Sequence, residues 1–172
     1  MKGDYQLMPA SNAKQLCEST HEKLKTAISQ LEDFLNQYAV PQLTELDSED
    51  QTAFYKGLLS DLRHLLVFCE VTYEKLGALL RRPNFDTEAA ERVLYEVYHQ
   101  CVNAYFYPKN EGYSEDGRYA YTGREAIRFI FKPVAPARDI VLVHSKVFEE
   151  LRDDLGYYET DYMTNVRMQR QK

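Results

Sequence analysis

Apolar residues recur at helical spacing along most of the chain. From about Ala13 to Tyr38, the positions Leu16, Leu24, Ile28, Leu31, Leu35 and Tyr38 fall on one side of a helix. Gln15, Glu18, Glu22, Lys23 and Glu32 take the other faces. Pro41 is expected to stop this helix, and Leu43 to Asp50 to form an acidic connector. Ser48-Glu49-Asp50-Gln51 has the capping-box pattern and predicts the start of a second helix that runs to about Arg81. Its stripe is Tyr55, Leu58, Leu62, Leu65, Leu66, Cys69, Tyr73, Leu76 and Leu80, with Gly77 on the inner flank, where it favours close helix contact. Arg81 and Arg82 suit the C-terminal dipole, and Pro83 ends the helix. Asp86 predicts the cap of a third helix from Thr87 to about Tyr105, with Ala90, Val93, Leu94, Val97, Tyr98, Cys101 and Tyr105 inside. A last helix is predicted from near Ala137 to about Met168, with a seam of Ile140, His144, Val147, Leu151, Leu155, Tyr158 and Tyr162. Gly156 lies outside that seam and is expected to weaken the helix without breaking the stripe.

These elements predict an all-α fold: one domain over residues 1–172, an antiparallel four-helix bundle with a long Tyr/Gly/Arg-rich crossing segment before the last helix. At ~1.5 Å per residue the second helix is roughly 50 Å long and the third about 28 Å. The irregular segment, about 105–136, is therefore expected to fold back and supply Tyr, Phe and Ile side chains to the uncovered surface. Within it, Thr122-Gly123-Arg124-Glu125 has a capping-box pattern, and Arg128 to Lys132 alternates, which with Tyr119 to Tyr121 suggests a small hairpin.

Composition narrows the function classes. The net charge of −6 argues against a general nucleic-acid binder or a protein attracted to acidic membranes. Residues 1–10 carry one lysine and no apolar run, so no signal peptide is expected, and no other run is long enough to span a bilayer. Cys17, Cys69 and Cys101 are odd in number and widely spaced, which fits reduced core thiols and a cytoplasmic location.

Candidate chemistry is sparse. Glu18 and His21, like Glu96 and His99, match the i, i+3 pattern of carboxylate metal sites, but at helical geometry Glu96, His99 and His64 point away from the core stripes, and Glu18 and His21 sit at the edge of theirs. No metal or cofactor is expected. No nucleophile and base can be placed together, so the chain is read as non-enzymatic. His144 lies on the core stripe, where a buried imidazole bonded to a carbonyl or tyrosine competes with a titrating or ligand-contacting group. The strongest candidate is the locally basic run of Lys109, Arg118, Arg124, Arg128, Lys132 and Arg138. Thr122 and Gly123 at a helix start would add free amides, a combination suited to phosphate or carboxylate. The competing reading pairs these arginines with Glu111, Glu115, Asp116 and Glu125.

The segments Ala120-Tyr121-Thr122-Gly123-Arg124-Glu125-Ala126-Ile127 and Tyr157-Tyr158-Glu159-Thr160-Asp161-Tyr162 resemble those of the YpuI-like family, uncharacterised proteins of Bacillus-type bacteria. The resemblance covers mainly the last seventy residues. It implies a bacterial cytosolic origin and an unassigned function, and it transfers no catalytic or binding role. The expected function is a non-catalytic interaction or regulatory protein that binds a protein partner or itself, with a homodimer through the last helix as one form. The alternative is a small-molecule or anion-binding bundle that uses Arg118, Thr122, Gly123, Arg124 and Arg128, with His144 as a further contact. Replacing Arg124 and Arg128 by alanine would then abolish binding and leave the fold intact.

Overall fold

Burial of the apolar stripes builds a helical body in the computed structural model, which describes residues 10–116 and 127–172. α1 (Ala10–Gln37) buries Ala13, Cys17, Thr20, Leu24, Ala27, Leu31 and Phe34. Leu24 and Leu31 are buried as expected, but Cys17, Ala27 and Phe34 take the inner positions beside them, and Leu16, Ile28 and Leu35 sit half-buried on the flank. α3 (Thr52–Leu80) buries Tyr55, Leu58, Leu62, Leu65, Cys69 and Leu76, and each such leucine contributes about 1.5–3 kcal/mol of transfer free energy. The two helices run antiparallel: His21 stacks on Tyr73 with ring centroids 4.1 Å apart, while Glu32 reaches Glu70. A Cβ at Gly77 would lie 3.2 Å from the His21 ring, so the glycine admits that close approach.

The connector between them is not irregular. Val40–Leu46 forms α2, because proline is favoured in the first turn of a helix, where its missing N–H costs nothing. Pro41 therefore starts a helix after α1 has ended. Ser48 is not the cap of α3; Asp50 accepts from the Thr52 amide and hydroxyl, and Asp47 holds Gln51 and the Tyr55 hydroxyl.

Asp86 caps α4 (Thr87–Glu96) as expected, accepting from the Ala89 amide at 3.1 Å. The helix then widens into a π-helical segment, Val97–Val102, before α5 (Asn103–Phe106). This arm lies antiparallel to α3, tied by Lys75–Glu96 at 2.7 Å, Thr72–Cys101 at 3.4 Å and Asn110–Asp61 at 2.9 Å. All three cysteines are buried free thiols.

The single last helix is corrected to four pieces: α6 (Ala135–Val143), α7 (Ser145–Asp154), a 3-10 turn (Gly156–Tyr158) and α8 (Asp161–Arg170). Leu151, Leu155, Tyr158 and Tyr162 are all buried, so the apolar stripe continues across a break that periodicity does not reveal. α7 is tied to α1 by Lys23–Asp154 at 2.7 Å. The last arm is antiparallel to the arm Thr87–Phe106: Tyr105 stacks on Phe148 with ring centroids 4.5 Å apart, and His99 donates to the Tyr158 carbonyl at 2.8 Å.

The described parts of the crossing segment add Tyr113 and Ile127 to the core. β1 (Tyr113–Glu115) and β2 (Ile127–Phe129) pair antiparallel, with Tyr113 opposite Phe129 and Glu115 opposite Ile127. Tyr113 and Ile127 point inward, and the Tyr113 hydroxyl donates to the Tyr105 carbonyl at 2.6 Å. The pairing partner of Ile127–Phe129 is thus Tyr113–Glu115. The expected partner, 119–121, lies outside the described residues. Among the described residues no helix is long and apolar enough to cross a membrane.

Candidate functional site

Three concavities meet where the third arm ends, and all share Tyr107. The end of α5 leaves Tyr107 73% exposed, followed by a tight turn in which the Glu111 amide donates to the Pro108 carbonyl at 3.0 Å. Glu111 has a positive φ of 52°, a left-handed conformation that costs a side-chain-bearing residue roughly 1–2 kcal/mol. Asn110 holds the turn in place. Its amide donates to Asp61 Oδ2 at 3.0 Å and its Nδ2 to Asp61 Oδ1 at 2.9 Å. A Cβ on Gly57 would lie 3.0 Å from Asn110 Cβ, so only glycine lets the turn seat this closely on α3.

The first concavity, about 580 Å³, lies between α3 and the π-helical segment, with His64, Phe68, His99, Asn103 and Lys109 among its walls. A π-helical turn carries i→i+5 bonds, widens the helix and recurs at functional sites. Here it places His99 between neighbours: its Nε2 donates to the Tyr158 carbonyl at 2.8 Å, and its ring lies 4.2 Å from that of Tyr95. The two histidines read from the sequence as diverging outward thus line one groove. Glu96 pairs with Lys75, and His21 stacks on Tyr73.

The second concavity, about 540 Å³, lies on the hairpin side and is walled by Tyr107, Lys109, Ser114, Arg128 and Ile130. The third, about 400 Å³, faces α7 with Asn103, Arg152 and Glu159 on its walls. Arg152 Nη1 donates to both Glu115 oxygens at 2.9 and 2.7 Å, and this ion pair ties the hairpin to α7.

Of the residues expected to bind a ligand, Arg118, Thr122, Gly123 and Arg124 lie outside the described residues. Arg128 lines the second concavity and pairs through Nε with Asp116 at 3.1 Å. His144 is buried at 1% exposure, where Nδ1 donates to the Ile140 carbonyl at 2.7 Å and the ring also meets the Ala27 backbone. Burial holds its imidazole below the ordinary value of 6.5, which favours the neutral form. His144 lines none of the three concavities, so the structure does not bring it together with Arg128.

Sequence reasoning missed Tyr107, Ile130 and Phe131, which are 73%, 61% and 56% exposed. The available signal was an aromatic residue followed by proline just beyond a helix end, and two apolar residues in a row after a short alternating strand. Phe131 meets Phe54 edge-on at 5.8 Å and extends the same apolar end.

The chain matches the family described as protein of unknown function DUF3907 over residues 17–164. It belongs to that family. It is also 34% identical over 142 residues to the uncharacterised protein YpuI of Bacillus subtilis strain 168, covering 83% of this chain and 79% of that protein. The family likeness therefore extends well beyond the last seventy residues that carried it in the sequence. No solved structure matches the chain.

Proposed function

We propose that this DUF3907 protein is a non-catalytic binding protein whose partner is a protein segment with apolar anchors flanked by acidic residues. In this reading the helical body is an antiparallel four-arm bundle, a rigid platform for the end of the molecule around Tyr107. The observation that carries it is the exposure of Tyr107, Ile130 and Phe131 beside concavities walled by Lys109 and Arg128. Large exposed aromatic and apolar side chains beside arginine are the usual anchors of protein recognition.

Capture from cell lysate with the wild type and with a Tyr107→Ser/Ile130→Asp double variant tests the reading. A protein retained by the wild type should be lost from the double variant, while circular dichroism shows both to be folded. Equal retention would sink it.

A second reading, small-anion binding, is favoured by the meeting of Lys109 and Arg128 at one concavity. Arg128→Ala separates the two, because it removes anion binding and leaves a partner anchored on Tyr107 and Ile130.

A further inference from the structure

At the opposite end of the third arm, α4 and α8 enclose a cavity of about 450 Å³. Its walls include Glu88, Glu91 and Arg92 from α4 and Tyr162, Val166 and Arg170 from α8. Glu91 is only 2% exposed. Its one hydrogen bond is a long one, 3.4 Å from the Tyr158 hydroxyl, and among the described residues no cation pairs with it. We propose that this cavity binds a small organic amine, with the Glu91 carboxylate receiving the ammonium group.

The groups facing Glu91 explain why the counter-ion must come from outside. α1 presents Cys17, whose thiol is pushed up to about 12 by burial and then by Glu18 and Glu91. The 3-10 turn presents Tyr158 and α8 presents Tyr162, both raised above the ordinary phenol range by burial, so all three are neutral at pH 7. Tyr157, also in that turn, stands edge-on to Tyr158 with ring centroids 5.1 Å apart. On α4, Arg92 is engaged by the exposed Glu88 at 3.1 Å. Arg170 stands at the exposed end of α8. A buried carboxylate with no cation beside it is costly, and burial accordingly raises Glu91 above its ordinary value of 4.5.

An ammonium ion entering the cavity would supply the missing charge, meet the Tyr162 ring as a cation over an aromatic face, and lay its alkyl part on Val166. The volume is within the range of small-molecule sites. The site stands at a different place from the Tyr107 end and is independent of the reading given above.

The test is titration of the full chain with n-butylamine, followed by tyrosine-ring NMR shifts and calorimetry, with n-butanol as the uncharged probe of equal size. The wild type should respond to the amine and not to the alcohol, with shifts at Tyr158 and Tyr162. Affinity should rise with pH above the ordinary carboxyl range as Glu91 gives up its proton, since the raised carboxyl must ionise to hold the cation. Glu91→Gln should weaken amine binding at least about tenfold, the loss of a charge-assisted bond, and abolish the pH dependence. Glu74→Gln, on the exposed face of α3 and outside the cavity, should change little. No response to the amine, an equal response to the alcohol, or equal losses in the two variants would overturn the proposal.

Discussion

Phe148→Ala is expected to lower the unfolding free energy by about 3–5 kcal/mol, the largest loss from any single truncation considered. The ring is fully buried and stacks on Tyr105 with centroids 4.5 Å apart and planes 10° from parallel. Tyr105 in turn donates to the Val141 carbonyl, and its own carbonyl accepts from Tyr113. Removing Phe148 therefore leaves a hole where α7, α5 and the hairpin meet, and rigid neighbours close such holes only in part. Small domains have only about 5–15 kcal/mol of net stability, so the urea midpoint should fall steeply with little change in slope. A loss below about 1 kcal/mol would mean that the stack does not join these elements.

Tyr55→Phe should cost about 1–3 kcal/mol although it removes one atom. The Tyr55 side chain is fully buried, and its hydroxyl donates to Asp47 while accepting from the Val134 amide at 3.0 Å. The phenol is pushed up to about 12, first by burial and then by Asp47, so it stays protonated and keeps donating at any physiological pH. One hydroxyl thus fastens the connector before α3 to the start of α6, and Val134 lies 79 residues from Tyr55 in sequence. Without it the Val134 amide loses its acceptor. Hydrogen exchange should show that amide opening many-fold faster, with a larger change there than the loss of global stability produces at the centre of α3. Unaltered protection at Val134 would contradict the arrangement.

Much of the fold was legible because burial follows helical spacing. The stripe of α3, the Asp86 cap, the buried cysteines and the core position of His144 all follow from the 3.6-residue period and from capping chemistry. Three features were not legible, each for a physical reason. Pro41 reads as a helix stop, but the same ring preorganises the first turn of α2. The stripe through Leu151, Leu155, Tyr158 and Tyr162 stays buried across the 3-10 turn, so the pattern does not distinguish one helix from two. The π-helical segment has no residue signature, and it brings His99 and His64 to one groove. Of the candidate basic residues that are described, Lys109 and Arg128 stand where the structure has a concavity. The aromatic end was missed because exposure of Tyr107, Ile130 and Phe131 depends on tertiary packing. Glu91 was passed over because charge on α4 reads as a solvated face, whereas α8 folds back and covers it.

The most direct test of the docking end is photo-crosslinking in living cells, with a photo-reactive phenylalanine in place of Tyr107 and, as a control, in place of Lys25 on the exposed face of α1. A discrete crosslinked species from position 107, absent from position 25 and lost when Ile130→Asp is added, is the predicted result. Adducts equal at the two positions, or none at 107, would contradict a partner seated on the aromatic end.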